Sequence, residues 1–149
     1  MAKTECETAA KTVVCVTDQR QCDRIIRAGK MLSDLSGNQL TVINVVDPNR
    51  RSDPDSMEYL FSVSRQNNAE MVLLYSEDVA KAIIKYIKSS KVETMLTGIP
   101  CRGDSVTADI WSKFTHIDFF VVEMDGSLRP VSNSVRAARE LCVPAIEGI

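Results

Sequence analysis

VVCVTDQRQCDRIIRAGKMLSDLSGNQLTVINVVD, residues 13–47, has an apolar run at each end and an amphipathic segment between them. The first run extends back to Thr12, as TVVCVT over 12–17, and the second is LTVINVV over 40–46. Neither alternates apolar with polar residues, so each suits a strand buried on both faces, as in a parallel sheet. Between them, Cys22, Ile25, Ile26, Met31, Leu32 and Leu35 recur at helical spacing. Arg24, Arg27, Lys30 and Asp34 fall mostly on the other side, so the segment predicts a helix with one apolar stripe. Gly37 follows as a natural residue for the left-handed C-terminal cap.

The same grammar continues outward. MVLLY at 71–75, VETMLT at 92–97 and IDFFVV at 117–122 read as further buried strands. A weaker helix is predicted over 56–67, with Met57, Leu60, Phe61 and Val63. A clearer one follows the third strand. Ser76 is placed to cap it, and Glu77 and Asp78 suit the positive end of its dipole. Val79, Ala80, Ile83, Ile84 and Ile87 form its inner face. A short fourth helix is expected over 105–114, with Val106, Ile110, Trp111 and Phe114 inward. Strict β-α alternation of this kind predicts an α/β fold, an open parallel sheet with helices on both faces. Ligands of such sheets sit outside the carboxyl ends of the strands, where the strand order switches.

Size and charge narrow the function. A chain of 149 residues with 44% apolar and 26% charged residues suits one globular domain. A net charge of −2 and only 5% aromatics give no footprint for nucleic acid. No apolar run reaches membrane-spanning length, and the polar start, 1–11, lacks the apolar region of a secretory signal. The protein is therefore expected to be soluble and cytoplasmic, without nucleic-acid or membrane partners. Five widely spaced cysteines, Cys6, Cys15, Cys22, Cys101 and Cys142, form no CxxC pair and read as reduced thiols. The expected organisation is an N-terminal segment at 1–11, a domain at 12–123 and an extension at 124–149. Asp125-Gly126 is a turn signal, and 132–142 reads as one more short helix packing on the domain or on a dimer partner.

Two loops carry the candidate chemistry. TGIPCRGDSV, at 97–106, lies between a strand and a helix. Gly98 and Gly103 permit close backbone approach, and Ser105 can cap the helix or meet a phosphate oxygen. The helix start favours an anion, and Arg102 adds a bidentate phosphate donor. The competing reading is a plain strand-to-helix turn. Gly98 to Ser105 is not a P-loop, because Asp104 stands where the phosphate-neutralising lysine belongs. Arg102-Gly103-Asp104 is a coincidental adhesion tripeptide. Cys101 with His116 makes no nucleophile pair, since His116 has no orienting partner and reads as a surface residue. In the first loop, Thr17-Asp18 ends the first strand, where a carboxylate can accept from ribose hydroxyls or an adenine amino group. Asp18 could equally cap the following helix.

These residues carry a family likeness. The 13–47 stretch resembles the opening β-α-β of universal stress proteins. NAEMVLLYSEDVAKAIIKYIKSSKVETMLTGIP, at 68–100, is similar to their third strand, third helix and fourth strand. Its wording is closest to the stress-protein domain of KdpD-type sensor kinases. The resemblance covers roughly 12–123. It implies an adenine nucleotide alpha hydrolase-like fold with five parallel strands in the order 3-2-1-4-5. It implies adenine and ribose contacts at Thr17, Asp18 and Val45, and phosphate contacts at Gly98, Ser105 and Val106, to which the loop's own residues add Arg102 and Gly103. It implies ATP, AMP or another adenine nucleotide as ligand, with no metal required. Here the family's glycine loop is degenerate: Cys101 replaces its second glycine, and the nine-residue spacer before the terminal Gly-Ser is almost absent. Asp104 would oppose a phosphate charge at ~4 Å by about 4 kcal/mol in a surface-like dielectric.

The expected function is a regulatory protein, not an enzyme, with a degenerate adenine-nucleotide site and a signalling partner protein. The alternatives are an interaction module that has lost the ligand and, further off, a nucleotide-acting hydrolase. The strand at 117–123, from Ile117 to Glu123, is expected at the sheet edge. Its run of Phe119, Phe120, Val121 and Val122 predicts a homodimer through that edge.

Overall fold

The computed structural model describes residues 10–16, 22–49, 53–99 and 106–131. Strands β1 (Lys11–Val16), β2 (Gln39–Val46), β3 (Glu70–Tyr75), β4 (Val92–Thr97), β5 (Asp118–Val122) and β6 (Leu128–Pro130) form one sheet. Its order is β3-β2-β1-β4-β5-β6. The pairings from β3 to β5 are all parallel, and β6 returns antiparallel to β5. Helices α1 (Cys22–Ser36), α2 (Pro54–Gln66), α3 (Val79–Ser89) and α4 (Val106–Lys113) join the parallel strands.

The unbroken apolar runs reflect burial on both faces. In β1, Val13 and Cys15 enter a core with Ile83 and Ile87 of α3 and Ile110 and Trp111 of α4. Val14 and Val16 enter a second core with Ile25 and Ile26 of α1 and Leu60 and Val63 of α2. Every β1 residue from Thr12 to Val16 is buried. Gly29, on the inner face of α1, lies directly over Val14 and Leu40, so this helix packs against the sheet at a position with no side chain between them.

The helix ends differ in detail from the expectation. Gly37 adopts φ +76 and closes α1, its N–H donating to Ser33 O at 2.8 Å, as the left-handed cap requires. Met31 and Leu35, placed on the apolar stripe by spacing, are exposed at 52% and 78%. The expected 56–67 helix starts earlier, at Pro54. Asp53 caps it by accepting from the Asp55 N–H, and a proline in the first turn forfeits no helical bond. Asp78, and not Ser76, is the N-cap of α3: its carboxylate accepts from the Lys81 N–H at 3.1 Å. Ser76 Oγ instead accepts from the Asp78 N–H, which orients the cap.

The sheet has a sixth strand. After β5 the chain turns at Gly126, φ +89, and the Ser127 hydroxyl and N–H both donate to Asp125 Oδ1. Those two bonds, the hydroxyl's foremost, hold the Asp125 carboxyl below its ordinary pKa. Leu128–Pro130 then pairs with β5, Val121 facing Arg129. β5 is therefore not the edge, because its outer side is filled by β6 of the same chain. Pairing of a second copy along 117–123 would require β6 to leave. Phe119, Val121 and Val122 are buried. His116 is exposed and sets its ring edge-on to Phe114, centroids 6.0 Å apart. No helix among the described residues is long and apolar enough to cross a membrane.

Candidate functional site

The strand order reverses direction at β1. The chain moves from β1 outward to β2 and β3, then crosses back to β4 on β1's other side. The connections of β1 and β4 therefore leave the sheet in opposite directions, and in sheets of this kind that switch point is where a ligand crevice lies. Val16 ends β1, Val46 ends β2 and Thr97 ends β4. These three ends form the rim of the candidate site.

Asn44 braces the rim from below. It is 1% exposed, and its Nδ2 donates to Val16 O at 2.7 Å. A buried amide is costly unless bonded, so this contact fixes the last carbonyl of β1 relative to β2. Next along β2, Val45 packs its side chain into the core on the α3 and α4 side. Its backbone, not its side chain, is what the site can use. Val45 and Gly98 stand on the two strands flanking β1, about 10 Å apart at two strand spacings.

At Gly98 the rim meets α1 closely. A Cβ there would lie 3.0 Å from Ile25 Cδ1 and 3.8 Å from Arg24 Nη2. Backbone, glycine and guanidinium thus meet at the carboxyl end of β4. On the other face of β4, Thr97 Oγ1 is buried and has no hydrogen-bond partner, although the residue is only 8% exposed. An orphan hydroxyl of this kind costs about 1–3 kcal/mol unless something binds it. The arrangement sets a guanidinium beside the Gly98 backbone on one side of β4 and a buried hydroxyl without a hydrogen-bond partner on the other.

Of the residues singled out by sequence, Val45 and Gly98 lie on this rim, and Val106 is the first residue of α4. Thr17, Asp18, Arg102, Gly103 and Ser105 lie outside the described residues, as do Cys101 and Asp104. Arg24, Asn44 and Thr97 were missed. Arg24 reads as an outward helical cation until its length is considered: its aliphatic stem lets the head reach the sheet end. Asn44 did leave a signal, because a lone amide inside LTVINVV needs a buried partner. Cys15 and Cys22 are buried thiols. Among the described residues no group of three or more His, Cys, Asp or Glu side chains is placed to hold a metal ion.

No protein-family model and no curated protein sequence matches the chain. Solved structures do. A universal stress protein from Archaeoglobus fulgidus superposes with a TM-score of 0.58 at 17% identity, over 80% of this chain and 93% of that one. The universal stress protein from Archaeoglobus fulgidus in complex with dAMP gives a TM-score of 0.56 at 16% identity, covering 83% and 99%. A universal stress protein in complex with cAMP gives 0.53 at 14% identity, covering 80% and 99%. Identities this low carry the fold and not the ligand. The parallel β3-β2-β1-β4-β5 sheet, its flanking helices and these superpositions agree: the chain has the fold of the universal stress proteins.

Proposed function

We propose that this protein is a cytoplasmic, non-catalytic regulator of the stress-protein type that binds an adenine nucleotide with few phosphate charges in the β1–β4 crevice. The meeting of Gly98 with the Arg24 guanidinium at the end of β4 carries the reading. With adenine and ribose on the Val45 side of β1, the first phosphate would be near enough to use that cation. The sequence supports the limit on phosphates. With Asp104 immediately before Ser105 and the glycine spacer almost absent, little remains to neutralise a triphosphate. The dAMP and cAMP complexes of structural neighbours supply precedent for monophosphate ligands on this fold. Function follows the site and not the fold, so precedent alone is not enough. The wording of α3 and β4 favours a place near the stress-protein domains of KdpD-type kinases, with signalling through a partner protein.

Thermal unfolding with ATP, ADP, AMP and cAMP tests this. At 100 times its Kd, a ligand specific to the folded state stabilises by about 2.7 kcal/mol. For a domain of this size that raises Tm by about 5–10 °C. AMP or cAMP should give such a shift at concentrations where ATP gives a smaller one. A larger shift with ATP would overturn the degenerate-loop reading. No shift with any nucleotide would favour an interaction module that has lost its ligand.

A further inference from the structure

The two ends of the sheet are finished differently. β6 is three residues long, ends in Pro130, and has Arg129 Nε on Glu123 Oε2 at 2.6 Å. Short length, proline and charge are the usual means of closing an edge. β3 has none of these after its first residue. It is six residues long, and Met71, Val72, Leu73 and Leu74 are only half-buried. Tyr75 is 68% exposed. A groove of about 480 Å³ runs between β3 and α3, lined by Leu74, Tyr75, Lys81, Lys85 and Tyr86 among others. Lys81 and Lys85 lie one helical turn apart, and neither makes an ion pair with the described residues.

We infer that a second copy of this chain covers the edge, β3 pairing antiparallel with β3 about a two-fold axis at Leu73. The backbone selects this register. The Ser76 N–H points inward to Val46 O. Peptide groups alternate along a strand, so those of Met71, Leu73 and Tyr75 point outward. An axis at Leu73 sets Leu73 against its own copy and Met71 against the second copy's Tyr75. All of these outward groups are then paired. Residues directly opposite share a face, so Val72 meets the second copy's Leu74 on the α3 side and extends the half-buried apolar strip. Glu70 lies on that same face, where its Oε1 accepts from Thr41 Oγ1. The axis carries the second copy's Glu70 to Ser76, at the Lys81 end of the groove. Glu70 Oε1 also lies 3.8 Å from Lys11 Nζ of its own chain, while its Oε2 has no contact among the described residues, so one chain supplies both the two lysines and a half-exposed carboxylate oxygen to meet them, and does so twice by symmetry. This self-complementarity favours a second copy over an unrelated acidic peptide, and the two-fold closes the assembly at a dimer.

Light scattering on the full chain at tens to hundreds of micromolar tests the inference. The wild type should show twice its 16.5 kDa mass. L73K should be monomeric, because two lysines would meet on the axis. L73K could fail to fold, so exposed charges provide a second test. K81E should weaken the dimer about five- to tenfold, from two symmetric like-charge contacts. The E70K/K81E double variant should recover most of that loss. A monomeric wild type overturns the proposal. So does a dimer that persists in folded L73K, a dimer broken by R129E but not by K81E, or a double variant no tighter than K81E alone.

Discussion

Gly29→Ala should destabilise the protein by about 2 kcal/mol, and Gly29→Val by about 3 kcal/mol or more. At an exposed helical site the alanine change would do the opposite, since alanine exceeds glycine in helix propensity by about 1 kcal/mol. Packing reverses the sign here. A Cβ on Gly29 would fall inside the van der Waals envelope of Val14 Cγ2, with Leu40 Cδ1 3.1 Å away. Val14 is 0% exposed on the central strand, and its branched side chain has few rotamers to retreat into. Relief must come from α1 moving off the sheet, which loosens the core that Ile25 and Ile26 share with Val16. Overpacking of this kind costs about 1–3 kcal/mol and occasionally more. Thermal or urea unfolding measures it. A Gly29→Ala variant more stable than wild type would show that α1 does not approach β1 as closely as described.

Arg24→Ala should weaken AMP binding about 10- to 100-fold while leaving adenosine binding nearly unchanged. Loss of a hydrogen bond to a charged group is worth about 1.5–3 kcal/mol, and Arg24 is the described cation nearest Gly98. Adenosine lacks the phosphate, so it separates a phosphate contact from general damage to the crevice. Arg24→Lys should recover part of the affinity, because a point charge replaces a planar fork. Calorimetric titration of both ligands reads the contrast. Equal losses for AMP and adenosine would assign Arg24 to the framework of the site. Equal affinity in variant and wild type would remove it from the site.

Much of the fold could be read from residues 13–47 and their echoes. Runs such as VVCV and LTVINVV have to be covered on both sides, and only strands with helices on both faces do that. Three misreadings have physical causes. Spacing alone assigned Met31 and Leu35 inward, but they fall four and eight residues after exposed Arg27, while the buried line runs through Ile25, Gly29 and Ser33, two of them small residues that an apolar count overlooks. Ser76 and Asp78 are both competent caps, and only the backbone geometry decided for Asp78. The strand LRP was invisible because three residues ending in proline carry no strand signal; its pairing with β5 is dictated by the Asp125-Gly126 turn. The site was legible in part. Gly98 announced itself as a glycine after a strand. Arg24 did not, because its role depends on the approach of α1 to the end of β4, a tertiary fact. Half-burial of β3 was likewise hidden in MVLLY, which reads like any other buried strand.

The central claim is that a monophosphate adenine nucleotide occupies the crevice between β1 and β4. Backbone amide NMR of the labelled full chain during an AMP titration tests it most directly. The account predicts saturable shifts concentrated at Val16, Val45, Val46, Gly98 and Ile99, with the Arg24 side chain responding in the same concentration range. Shifts confined to the groove from Leu74 to Ser89, or no saturable shift anywhere, would contradict it.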